Sequence, residues 1–424
     1  MVFIEMTNYD AFKERLYMKL IAKCTAVIFS VLLFLSSFPA YCLAEGNIIE
    51  VPDAKVIING KNITFSDVII SSGGRILLPL RSLLTSLGVH NDDKHIIWNA
   101  AEKSVTFIKD STKVKLVQGG NTAYIDDIPT KLDVPPVGYS KNGRTYIPVS
   151  FAAQSLGKTV EWDSSSKSVI INDLKIVTVD TAEELVAAMD SNTKVILKKG
   201  IYNLSKLKQE YSERKVFWEG VFDGNQLVLA GVDNLTLECE ADDFAEIVVE
   251  PRYANVLSFR NCSNITVRNI KAGHTPEQGE CAGGVLAYDY SSNINIINGE
   301  LYGCGIEGLI LNNTNNLSFA NSSIHNCNTA IMLLNNSKNI SFYKSKFYDN
   351  TGYSCGVGAY DNCSLTFDNC DFSNNTIGNG IGGGSFFNIN LSKVLVNNSR
   401  LTNNLYSSLT TDSSGLTLVN TQTE

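Results

Sequence analysis

His274 is followed closely by two carboxylates, in the run His274-Thr275-Pro276-Glu277-Gln278-Gly279-Glu280-Cys281. An imidazole beside carboxylates can perform general acid/base work, and the same oxygens can hold one calcium ion. Arg252 lies upstream and offers a cation for an anionic group, while Asp289 and Glu307 are expected to stand near the run from later in the chain. Tyr288, Tyr290 and Tyr302 are read as exposed rings on which a sugar can stack. The catalytic candidates are therefore His274, Glu277, Glu280 and Arg252, and the ligand-binding candidates are Asp289, Glu307 and Tyr288. No metal site is assigned, and calcium is left as an open option. Asp242-Asp243 reads as a solvated turn, and Lys194, Lys198, Lys199, Lys206, Lys208, Arg214 and Lys215 make a locally basic stretch where acidic glycans can dock.

Bulk properties narrow the partners. A net charge of -8 argues against nucleic acid, which needs clustered excess cations. Four histidines and no Cys-x-x-Cys pair argue against a zinc or copper cluster. At 424 residues, more than one domain is expected.

The N-terminus predicts export. Lys19 and Lys23 precede an apolar run from Thr25 to Phe38, and Cys42-Leu43-Ala44 offers a cleavage site before Glu45. Residues 1–44 are read as a signal peptide whose true start is Met18, because Glu5, Asp10 and Glu14 suit such a segment poorly. The run is too short to be favoured as a spanning helix, so the mature chain is expected outside the membrane, secreted and associated with the cell envelope. Export permits disulfides among the eight cysteines between Cys239 and Cys370.

The scaffold that must carry the candidates has two parts. In the first, residues 50–172, Gly74-Arg75-Ile76-Leu77-Leu78-Pro79 recurs as Gly143-Arg144-Thr145-Tyr146-Ile147-Pro148. Each copy runs on into a short helix pattern ending at Gly88 or Gly157, a C-terminal cap signal. Each then reaches a tryptophan, Trp98 or Trp162, and an alternating strand. This pair of motifs resembles the copper amine oxidase N-terminal-like domain of secreted bacterial surface proteins. The resemblance implies a stalk, spacer or attachment module, separate from any copper centre. Only His90 and His95 occur here, so Trp and Arg are expected to serve structure and no copper oxidase activity is expected.

The second part, residues 176–424, is counted by its asparagines. Taking the aliphatic residue after an Asn as the marker, Leu235, Ile265, Ile294, Leu317, Ile340, Leu365, Val394 and Leu416 occupy equivalent places, 22 to 30 residues apart. A second core residue comes two positions on, from Leu237 to Leu418, which puts each pair on one face of a strand. Asn recurs four positions after the marker at 269, 298, 321, 369, 398 and 420, and Cys304, Cys327, Asn350, Asn375 and Asn404 form a column at plus ten. Columns of one type at this period mean stacked coils. Asn tolerates the left-handed backbone of a sharp turn, and stacked amides can bond from coil to coil. Cys304 and Cys327 read as small turn fillers before disulfide partners. Thr181-Ala182-Glu183-Glu184 is a capping box opening a helix that would shield the first coil.

The expected fold class is therefore mainly β: a right-handed parallel β-helix solenoid with an N-terminal capping helix, preceded by a small α+β duplicated domain. The second part resembles the β-helix superfamily of pectate lyases, polygalacturonases and related surface proteins. That resemblance implies a polysaccharide partner, but neither an Asp-rich calcium cluster nor a paired-aspartate set accompanies it. Three readings follow. The β-helix binds an extracellular polysaccharide or another envelope polymer without turnover; or it is a lyase, hydrolase or epimerase working at residues 252–307; or it is a structural rod. Converging ionisable groups at 252–307 would favour the enzyme.

Overall fold

In the computed structural model, residues 48–209, 214–240, 243–276, 283–303, 307–353, 355–378 and 384–424 are described. The expected signal peptide, Glu277, Glu280, Cys281, Cys304 and most of the Gly378–Gly384 run lie outside them.

The duplication seen in the sequence becomes a pairing in space. Strands Arg75–Pro79 and Arg144–Pro148, one from each copy, lie antiparallel with Leu78 opposite Ile147. Each leads into a seven-residue helix, Leu80–Ser86 and Val149–Ser155, whose inward residues Leu83, Leu84, Ala152 and Ala153 enter one shared core. Trp98 and Trp162 take no part in that core; both are nearly half exposed.

From Lys175 onward the chain coils. Ten strands form a first sheet, nine a second and nine a third, and apart from one hairpin at the start of the third each strand is bonded to the strand one turn later. Every neighbouring pair in the first two sheets is parallel, and the marker residues Leu235, Ile265, Ile294, Leu317, Ile340, Leu365, Val394 and Leu416 fall in direct register. One turn of chain thus returns each aliphatic residue over its predecessor, which is the structural content of the repeat.

The asparagines do two separate jobs. Asn269, Asn298, Asn321, Asn369, Asn398 and Asn420 all adopt positive φ at the corner between the first and second sheets, where only a short polar residue or glycine bends the chain cheaply. Asn350, Asn375 and Asn404 are instead inside: the Oδ1 of Asn375 accepts from both the backbone N and the Nδ2 of Asn350, and Asn404 repeats this for Asn375. Cys327 occupies the same column and donates its backbone N–H to Asn350 Oδ1. All six described cysteines are buried, as small fillers should be.

The coil interior is a continuous apolar column. Its C-terminal half is a stack of phenylalanines, with Phe342 over Phe367 at 4.5 Å and Phe347 over Phe372 at 4.8 Å between centroids. The helix Ala182–Ala188 closes the open first coil with Leu185 and Met189 fully buried. Thr181 Oγ1 accepts from Glu184 N as the capping box requires, while the Glu184 carboxylate reaches back one residue further than expected, to Asp180 N.

Candidate functional site

The corner between the second and third sheets is where the sequence placed the chemistry. Its geometry begins with a hairpin. Val216–Val221 turns back on Gly224–Ala230, leaving Phe222 and Asp223 at the tip. A Cβ on Gly224 would stand 2.5 Å from Pro251, so only glycine lets the hairpin lie against the next turn of chain. Asp223 then holds that turn, its carboxylate accepting from Arg252 N at 2.7 Å and Tyr253 N at 3.1 Å. Phe222 is 86% exposed and Tyr253 36%, with ring centroids 5.0 Å apart and planes tilted by 52°. Behind them Gln226 Nε2 donates to Glu219, and Gln226 Oε1 accepts from Asn255 N and Nδ2. Arg260 donates to both oxygens of Glu219, and that fork holds the Glu219 carboxyl below the ordinary carboxylate range.

The predicted residues are distributed differently from what the sequence suggested. Arg252 is half-buried at this corner. His274 is inside, its Nε2–H donating to Ala254 O at 2.8 Å and its Nδ1 buried without a partner among the described residues. Burial pushes its pKa down, and the nearby charges of Asp223 and Arg252 act on it in opposite senses. Tyr288 is not an exposed ring. It shares the inward face of its strand with Leu286, stacks on Phe259 at 4.7 Å, and is fully buried, which drives its hydroxyl pKa well up. Glu307 also points inward, and burial alone raises its carboxyl to about 7. A group titrating there suits a general acid, but this one faces the coil interior. Asp289 sits at the far end of its strand from the corner, on the outer face, in register with Arg260 and accepting from Asn312 Nδ2 at 2.8 Å. The structure therefore brings Arg252 close to His274 and leaves Asp289, Glu307 and Tyr288 in separate surroundings.

Four of the seven cations in the basic stretch are neutralised by neighbours. Lys194 pairs with Glu238, Lys198 with Asp180, Lys199 with Asp243 and Lys206 with Glu250. Asp243, read as a solvated turn residue, is thus an ion-pair partner.

Sequence reading passed over two groups. Phe222 and Tyr253 are one; Asp223-Gly224 between alternating strands is a hairpin signal that would have put Phe222 at a tip. The other is on the outer face of the second sheet, where Tyr302, His325 and Tyr348 stack at 5.9 and 4.7 Å. His325 Nε2 is 3.3 Å from Glu300, whose other oxygen receives Lys271 Nζ at 2.9 Å. Burial would raise Glu300, but Lys271 and His325 outweigh it and hold the carboxyl below its ordinary value. The three rings recur at the coil spacing, eight positions after the markers Ile294, Leu317 and Ile340.

With both parts in view, similarity to known proteins can be placed. The chain matches two families. Residues 57–171 match the copper amine oxidase N-terminal domain, and residues 255–423 match the right handed beta helix region. Among solved structures the chain is similar to pectate lyase Pel9A at 11% identity and TM-score 0.35, covering 54% of this chain and 63% of that one. It is also similar to a pectin methylesterase from Aspergillus niger at 13% identity and TM-score 0.38, covering 59% and 85%. PfbA, a surface adhesin of Streptococcus pneumoniae, stands at 13% identity and TM-score 0.34, covering 54% and 62%. The chain thus spans less than two thirds of the length of the lyase and of the adhesin. No curated protein matches it.

His90 and His95 have ring centroids 4.9 Å apart, but His95 Nδ1 is engaged by Asp92 at 2.7 Å. Among the described residues no group of three or more His, Cys, Asp or Glu side chains stands together as a metal site. Nor is any described helix long and apolar enough to cross a membrane.

Proposed function

We propose that this is a secreted or cell-surface protein whose β-helix binds an extracellular polysaccharide or another envelope polymer without turning it over. The copper amine oxidase N-terminal domain holds the β-helix at the envelope. What supports the reading is the pair Phe222 and Tyr253: two exposed rings, inclined to each other, on a hairpin tip pinned by Asp223. Large aromatic faces held out to solvent on a rigid support suit the apolar C–H face of a sugar. Hydrogen-bonding groups of Asp223, Arg252, Gln226 and Asn255 stand around them, the mixture that fixes orientation in a ligand site.

The test is retention of the full chain in native gels that contain each of a panel of soluble polysaccharides. The wild type is expected to be slowed by at least one polymer, and Phe222→Ala/Tyr253→Ala to lose about tenfold or more in affinity, since a stacked ring contributes on the order of 1–2 kcal/mol. A double variant that binds as tightly as the wild type removes this corner from the account.

A further inference from the structure

The outer face of the first sheet is polar in a regular way. Asn234, Asn264, Asn293, Asn316 and Asn339 lie over one another, each Nδ2 donating to the Oδ1 one turn before at 3.0, 3.1, 3.0 and 3.0 Å along the row. Along the row each amide uses one N–H and one lone pair of the two it has of each, and Asn264 turns its other N–H toward Ser263 Oγ at 3.5 Å. Two residues on, Thr236, Thr266, Asn295, Ser318 and Ser341 make a second uncharged row, half-exposed throughout.

This face is only partly open to bulk solvent: Asn293 and Asn339 are exposed and the other residues of the two rows are half-buried. The N-terminal domain stands across it, and between them lies a cleft of about 250 Å³ whose far wall includes Ile125, Pro129, Pro148 and Phe151. Lys131 Nζ donates to Asn339 Oδ1 at 2.9 Å and ties the two walls together. One wall is thus a ladder of hydrogen-bonding groups, and the other sets apolar residues such as Ile125, Pro129 and Phe151 among polar ones such as Thr130, Ser150 and Gln154. Of the charges at the rim, Arg75 pairs with Asp133 at 2.7 Å and Lys158 pairs with Asp173, while Lys131 is held by the neutral Asn339 amide.

We propose that this cleft binds a neutral, unbranched glycan lying along the solenoid axis, so that the copper amine oxidase N-terminal domain forms one wall of a binding site. Turns of the coil succeed one another every ~4.8 Å, close to the length of one pyranose ring in an extended chain. Successive sugars therefore meet successive amide and hydroxyl groups, while their C–H faces lie toward Phe151 and its apolar neighbours. Lys131 is one cation in a cleft whose other lining is uncharged or already paired, too little to compensate a desolvated carboxylate on every sugar, so a uronate polymer is disfavoured. The inference rests on the reading of the β-helix as a polysaccharide binder and adds the class of sugar and a second place of contact.

The experiment measures affinity of the full chain for a neutral linear glucan or xylan and for a polyuronate. It uses the wild type, Asn295→Ala/Ser318→Ala, the cleft-filling Thr266→Trp, and the corner variant Phe222→Ala/Tyr253→Ala, with thermal unfolding of each. The cleft variants are expected to lose about tenfold in affinity for the neutral polymer and to melt close to the wild type. Either of two results overturns the cleft: variants that fold and bind the neutral polymer as the wild type does, or a wild type that prefers the polyuronate. Wild-type binding lost only in the corner variant would overturn the cleft and leave the proposed function standing. No retention on any polymer would overturn both.

Discussion

Glu307→Gln is expected to raise the free energy of unfolding by about 3 kcal/mol above pH 7 and to change it little below pH 4.5. Burial lifts the carboxyl from 4.5 to about 7 in the folded chain. A displacement of this size corresponds to about 3 kcal/mol, at roughly 1.4 kcal/mol per pH unit. The sign follows from proton counts. Between about pH 4.5 and 7 the folded chain keeps the Glu307 proton and the unfolded chain has lost it, so stability falls as pH rises through that window. Above it the penalty is constant. Glutamine imitates the protonated side chain and carries no such slope. Urea unfolding of both proteins at pH 4, 6 and 8 checks this, and curves that stay parallel across the three would place the carboxyl in contact with water.

Asn375→Ala is expected to cost on the order of 4 kcal/mol. The side chain is fully buried and makes four hydrogen bonds: two accepted from Asn350, one donated to Phe347 O at 2.9 Å and one to Asn404 Oδ1 at 2.8 Å. Alanine leaves those partners inside without an alternative, and each buried orphan costs about 1–3 kcal/mol. Cys327 provides the comparison within the same column. Its thiol makes one long contact, to His325 O at 3.8 Å, so Cys327→Ala should cost only about 1–2 kcal/mol. Denaturant midpoints at equal slope measure the difference. Equal costs at the two positions would mean that the inner asparagines fill space and the ladder contributes nothing more.

The fold was legible because a solenoid writes its register into the sequence. Residues that stack must be alike, and a turn that needs a left-handed residue needs it once per coil. Leu235 to Leu416 could thus be aligned by eye, and the coordinates pair them one to one. The capping helix was legible for the same local reason, since Thr181 and Glu184 satisfy donors within their own turn.

The site was harder to read because it depends on which way single side chains point at coil corners. Period two already groups Tyr288 with Leu286 on the inner face, so its burial was available from the strand pattern and was outweighed by the polar look of Asp289-Tyr290 around it. Period two likewise groups His274 with the buried Ile270 and Ala272 on the inner face, and Ala254 of the neighbouring turn accepts its Nε2–H there. Phe222 and Tyr253 are 31 residues apart and meet only because Asp223 ties two loops together, a tertiary contact that no local pattern announces. The cleft against the first sheet depends on how one domain lies on the other, which spacing within either domain does not encode.

Binding without turnover is most directly tested by incubating the purified chain with a polymer that retains it and following that polymer's molar mass, reducing ends and ultraviolet absorbance over hours. The account predicts retention with an unchanged polymer. New reducing ends or unsaturated products, growing with time and protein concentration, would contradict it.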